Sequence, residues 1–231
     1  MNLSLSIYSE WTSWTFGLPN EELDKGIGLF LSRLQDREYE SGTASLSLYA
    51  IGQKSAKTTI VPVTCSIEMN GNVPSPCSNV DIGKIPSSQS FYAARPTEVG
   101  LEDSFGSLNL QEVHDSIRNS LRSSTADKKL GLIFFLRGAG IQSLYLGDDE
   151  RRAPLFQQAI VHVDSQNDSE LSKESWKTVG KPVFLMEGFK YVEFFDYLST
   201  QIIEMIENPG KSTLSRTVSY THLTLPTIYS V

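Results

Sequence analysis

The chain is poor in the side chains that carry most protein chemistry. Its 231 residues include two cysteines and three histidines. Cys65 and Cys77 are too few for a disulfide framework or a cysteine zinc site, so a reducing setting is expected. Basic charge is also short. Twenty Lys and Arg against 27 Asp and Glu give a net charge of −7, which argues against general nucleic-acid binding, since that needs a basic field. No apolar run approaches the roughly 20 residues of a membrane-spanning helix. The first residues, Met1-Asn2-Leu3-Ser4-Leu5-Ser6, lack the basic and apolar regions of a secretory leader. These absences lead to the expectation of a soluble, cytoplasmic protein that does not engage membranes.

What is present reads as globular: 39% hydrophobic and 20% charged residues. Leu3, Leu5 and Ile7 alternate with polar neighbours, predicting a first strand. A helix follows Pro19-Asn20, with Asn20 as its cap and Leu23, Ile27, Phe30 and Leu34 as its apolar face. Gly26 and Gly28 either break it or allow a close backbone approach. Strands are predicted over Thr43–Gly52 and Thr58–Met69. In the first, Ala44, Leu46, Leu48 and Ala50 alternate with Ser45, Ser47 and Tyr49, the pattern of a half-exposed antiparallel strand.

Asn70-Gly71 opens a long irregular stretch, residues 70–107, rich in proline and serine. A second helix starts at the Asn109/Glu112 capping-box pattern, with Leu110, Val113, Ile117 and Leu121 as its stripe. Leu130–Arg137 reads as a central strand, and Gly138-Ala139-Gly140 as a tight turn into Ile141–Leu146. Strands at Phe156–Val163 and Pro182–Met186 and a helix over Tyr191–Glu207 complete the chain. The order β-α-β-β, long loop, α-β-β-β-β-α implies an α+β fold. The expectation is a mainly antiparallel sheet with about three helices, one domain over residues 1–217.

The end of the chain is different. Val218-Ser219-Tyr220-Thr221-His222-Leu223-Thr224-Leu225-Pro226-Thr227 resembles an in-frame translation of a transposase-type sequencing-library adapter. The resemblance implies that residues 218–231 are a non-native tail and that native sequence stops near Thr217, its own C-terminus missing.

Candidate chemistry is sparse. Gly147-Asp148-Asp149 follows a strand-like run and resembles the metal-binding turn of viral RNA-dependent polymerases, where paired carboxylates hold magnesium. The upstream motifs of those enzymes are lacking, and a solvated acidic turn is the ordinary alternative. In an antiparallel meander Asp148, Asp149 and Glu187 converge at one edge, with Asp164 at the opposite one. Pro209-Gly210-Lys211-Ser212 copies the end of a phosphate loop, but Met205 stands where its first glycine belongs. Cys65 reads as a core residue. Cys77 has no basic neighbour to lower its pKa.

Trp11 and Trp14 are candidates for an exposed aromatic anchor, with core packing as the alternative. On the last helix Glu193, Asp196, Thr200, Glu204 and Glu207 share a face with no interleaved base. This suggests a compensating basic surface, belonging to this chain or to a partner.

The leading expectation is a non-catalytic macromolecule-binding or assembly protein with a protein partner of basic character, needing no cofactor. Its partner-binding residues are Glu193, Asp196, Glu204, Trp11 and Trp14. The alternative is a metal-dependent phosphoryl-transfer or hydrolytic enzyme using Asp148, Asp149 and Glu187.

Overall fold

The computed structural model describes residues 2–11, 18–36, 43–54, 57–67, 73–92, 112–113, 115–116, 119, 125–135, 156–164, 183–187, 189–208 and 210. Nine strands are described: β1 (Asn2–Glu10), β2 (Thr43–Lys54), β3 (Lys57–Pro62), β4 (Thr64–Ile67), β5 (Val73–Pro76), β6 (Val80–Asp81), β7 (Lys128–Phe135), β8 (Phe156–Asp164) and β9 (Val183–Glu187). Two long helices accompany them, α1 (Leu18–Gln35) and α2 (Tyr191–Glu207), with a single 3-10 turn at Ile82–Lys84. Glu112, Val113, Asp115, Ser116 and Asn119 are also helical, within the expected second helix, and Val113 is buried as its stripe requires.

The mixed helix-and-sheet class is as expected, but the main sheet is mainly parallel where a mainly antiparallel one was expected. The main sheet has the order β3-β2-β1-β7-β8-β9, with β6 paired to β2 beside β3. The pairs β1–β2, β1–β7, β7–β8 and β8–β9 are all parallel. Only β3 and β6, against β2, are antiparallel in this sheet. The chain lengths are compatible with this, because residues 136–155 and 165–182 exceed the dozen or so that a parallel crossover needs. The predicted turn at Gly138–Gly140 and the strand after it lie outside the described residues.

β1 explains why the alternation misled. Every residue from Leu3 to Glu10 is buried, as befits a strand covered on both sides. Leu3, Leu5 and Ile7 join the hydrophobic core with both helices. Ser4 and Ser6 alternate with them and are buried too, in register beside Ser45 and Ser47 of β2. Ser47 is itself buried, and its Oγ accepts a hydrogen bond from Asn79 N–H at 2.8 Å. Small hydroxyls therefore occupy a covered face that polarity alone assigns to water.

The glycines of α1 serve close approach. A Cβ on Gly26 would lie 2.9 Å from the Tyr191 carbonyl oxygen and 2.7 Å from the Phe195 ring. The α1–α2 crossing is thus a backbone contact, flanked by an edge-to-face Phe30–Phe195 pair at 5.8 Å. A Cβ on Gly28 would lie 2.8 Å from the Ser87 carbonyl oxygen. α1 begins at Leu18, so Asn20 lies inside the first turn and Pro19 occupies an early position that proline tolerates.

Part of the stretch expected to be irregular is ordered. It contains β5, β6 and the 3-10 turn, then a strap, residues 85–92, tied to α1. The Asp24 carboxylate accepts from Ser90 Oγ, from Phe91 N–H at 2.9 Å and from Tyr92 N–H at 2.9 Å. Gln35 Nε2 donates to the carbonyls of Ile82 at 2.8 Å and Ile85 at 2.5 Å. The strand predicted over Thr58–Met69 divides at Val63. β3 stays in the main sheet, while β4 leaves it to pair with β5. Three backbone bonds mark the division: Val63 N–H to Leu48 O at 2.9 Å, Leu48 N–H to Cys77 O at 2.8 Å, and Cys77 N–H to Val63 O at 2.6 Å.

Candidate functional site

Parallel pairing brings the carboxyl ends of β1, β2, β7, β8 and β9 to one edge. The strand order reverses at β1, since the chain continues to β2 on one side and reaches β7 on the other. In open sheets of this kind ligands bind outside the carboxyl ends at such a reversal. Here β1 ends in Glu10, only 8% exposed, followed by the buried Trp11.

Trp11 is a core residue, not the exposed anchor considered from sequence. Its N–H donates to Ile51 O at 2.7 Å, and its indole Nε1–H to Tyr92 O at 3.3 Å. Tyr92 in turn donates its hydroxyl to Tyr49 O at 3.1 Å. Burial, and then the Glu10 charge, raise the Tyr191 phenol above its ordinary pKa. Burial also raises Tyr92, followed by the charges of Cys77, Asp24 and Tyr191. Both phenols thus stay protonated through the neutral range, and Tyr191 is within electrostatic reach of the nearly buried Glu10. Trp14 lies outside the described residues.

The strand-end acids are rearranged by the parallel sheet. Asp164 and Glu187 are register partners at the carboxyl ends of β8 and β9. The expectation that Asp164 sits at the edge opposite Glu187 is therefore overturned: strands running the same way end at the same edge. Asp148 and Asp149 lie outside the described residues. Among the described residues, no group of three or more His, Cys, Asp and Glu is placed to hold a metal ion.

The acidic side of α2 is narrow. Eleven of the helix's 17 residues are buried, and the helix carries no base in its last turn. Glu193, Thr200 and Glu207 are exposed, while Asp196 and Glu204 are half-buried. Asp196 forms an ion pair with Arg33 of α1. The compensating base sought for this face is thus supplied at one position by the chain itself. Gln201 Nε2 approaches Glu204 Oε2 at 3.5 Å. Burial and then the Glu204 charge push the Tyr197 phenol up to about 12. The Arg33–Asp196 pair had no sequence signal, because 163 positions separate its members.

No family model matches the chain, and no curated protein is significantly similar to it. Among solved structures it is similar to a von Willebrand factor type A protein from Catenulispora acidiphila, with a TM-score of 0.48 and 6% identity over 87% of this chain and 42% of that one. It is also similar to the ArnB paralog VWA2 from Sulfolobus acidocaldarius, with a TM-score of 0.43 and 8% identity over 88% of this chain and 44% of that one. The SpRpn10 VWA domain gives a TM-score of 0.43 and 8% identity over 82% of this chain and 93% of that one. The chain spans less than half the length of the first two.

Proposed function

We propose that the chain is a non-catalytic binding or assembly protein that meets a basic protein partner through the acidic strip of α2. The observation that carries this reading is the placement of Glu193 and Glu207 as exposed acids on a helix that buries eleven of its 17 residues. Glu207 lies in the last turn, where the helix dipole disfavours an anion by roughly 0.3–1 kcal/mol. The N-cap position, Lys190, makes no side-chain capping bond. Glu193 sits in the first turn, where the dipole favours an acid, so the dipole accounts for Glu193 and not for Glu207, and an external basic surface would favour both. The reading places the protein in the cytoplasm and includes neither general nucleic-acid binding nor membrane association. No helix among the described residues is long and apolar enough to cross a membrane.

The test reverses Glu193 and Glu207 to Lys and leaves Asp196 alone, since changing it would strand Arg33. Circular dichroism should be unchanged. Partner recovery in a low-salt pull-down should fall, and recovery by the parent chain should fall as salt screens the contact. Equal recovery by both chains would overturn the proposal.

A second reading, metal-dependent phosphoryl transfer or hydrolysis, draws support from the Asp164–Glu187 pairing at the carboxyl edge. Calorimetric titration with Mn²⁺ tests it. This reading requires binding that the Asp164→Asn, Glu187→Gln variant loses.

A further inference from the structure

The division of the β3–β4 strand brings together the only two cysteines in the sequence. Cys65 lies opposite Ser75 in the β4–β5 ladder. Cys77 lies opposite Val63 through its N–H bond. The cysteines are therefore diagonal neighbours on one side of this two-stranded ribbon, roughly 7–8 Å apart between Cα atoms, so a disulfide between them requires the two strands to draw together. Both are free thiols with 0% exposure. They interact directly: a hydrogen bond from Cys77 lowers the Cys65 thiol pKa against the opposing effect of burial, and the same contact, with burial, pushes Cys77 up. A thiol that hydrogen-bonds its neighbour favours the neighbour's thiolate, so such a pair can divide the roles of nucleophile and proton-bearing partner. The backbone of Cys77 is pinned on both sides, its N–H by Val63 O and its carbonyl by Leu48 N–H, so the pair is held at the base of the β4–β5 hairpin.

We propose that Cys65 and Cys77 form a dithiol site that exchanges with small disulfides of the glutathione class, closing an intramolecular disulfide across the base of this hairpin. The Cys65 thiolate attacks one sulfur of the small disulfide. This forms a mixed disulfide and releases the first small thiolate, which takes up the proton lost by Cys65. Cys77 then loses its proton and attacks the Cys65 sulfur, releasing the second small thiolate, which takes up that proton. The two protein thiols are oxidised by two electrons, and the small disulfide is reduced to two thiols. Because both sulfurs are closed to solvent, exchange proceeds through local opening of the hairpin base.

The native chain is incubated with glutathione disulfide, the remaining thiols are alkylated, and peptides are mapped by mass spectrometry. The expected product has lost two hydrogens, retains no glutathione and yields a Cys65–Cys77 linked peptide. The Cys77→Ala variant should retain one glutathione on Cys65, and Cys65→Ala should react far more slowly. Glutathione retained on the parent chain without an internal link would overturn the proposal. So would a parent chain whose thiols stay reduced until denaturant unfolds it. The parent's linked peptide decides the matter even if a variant fails to fold.

Discussion

α1 and α2 cross on the same core yet hold to the molecule by different means. α1 buries eight of its 18 residues, α2 eleven of its 17. α1 keeps a wet side and reaches across it with polar groups: Asp24 and Gln35 bind backbone atoms of residues 82–92, and Arg33 reaches Asp196. α2 contributes bulk, with Phe194, Phe195, Leu198, Ile202, Met205 and Ile206 all buried. The magnitudes show why α2 tolerates poor capping and acids in its last turn. Each unfavourable dipole contact costs about 0.3–1 kcal/mol, whereas burying one large apolar side chain contributes about 1.5–3 kcal/mol. α2 has several such side chains, so burial outweighs its electrostatics. α1 has fewer, and its order is coupled to the strap that it holds.

The sharpest way to break this contrast is to remove bulk from α2. Phe195→Ala should cost about 3–5 kcal/mol, because a fully buried ring packed at the helix crossing leaves a cavity. Urea denaturation measures it, and a loss below about 1 kcal/mol would mean the crossing is looser than the Gly26 contact implies.

The corresponding polar change on α1 is Asp24→Ala. It strands the N–H groups of Phe91 and Tyr92 and should cost about 1–3 kcal/mol. Because the damage falls on the strap, protease sensitivity within residues 85–92 should rise more than global unfolding does. Uniform destabilisation without new cleavage there would show that the latch is not what holds the strap.

The smallest effect is confined to alkaline pH. Tyr191 is raised in the folded chain by burial first and by Glu10 second. Below the ordinary phenol pKa of about 10 it is protonated in both states, and its contribution is fully present. As pH rises further only the unfolded chain ionises, so stability falls, by about 1.4 kcal/mol per pH unit for this group at most. Tyr191→Phe should flatten the decline above pH ~10. An unchanged slope would place its source elsewhere, for instance at Tyr92.

Sequence determined the local elements of this protein. The stripe Leu23, Ile27, Phe30 and Leu34 places α1, the run Tyr191–Glu207 places α2, and β1, β2, β7 and β8 follow their apolar runs, because helical and extended periodicities are properties of neighbouring residues. The same local information fails for Ser4, Ser6 and Ser47, whose burial depends on a second layer and not on their polarity. Strand direction was likewise closed to it. An apolar run reads the same whether its neighbour is parallel or antiparallel, and the choice between them moved Asp164 to the edge of Glu187. Trp11, Arg33 with Asp196, and Cys65 with Cys77 were all visible as residues and opaque as contacts. Their partners are selected by the packing of distant segments, where hydrophobic burial and backbone hydrogen bonding of the whole chain decide which side chains meet.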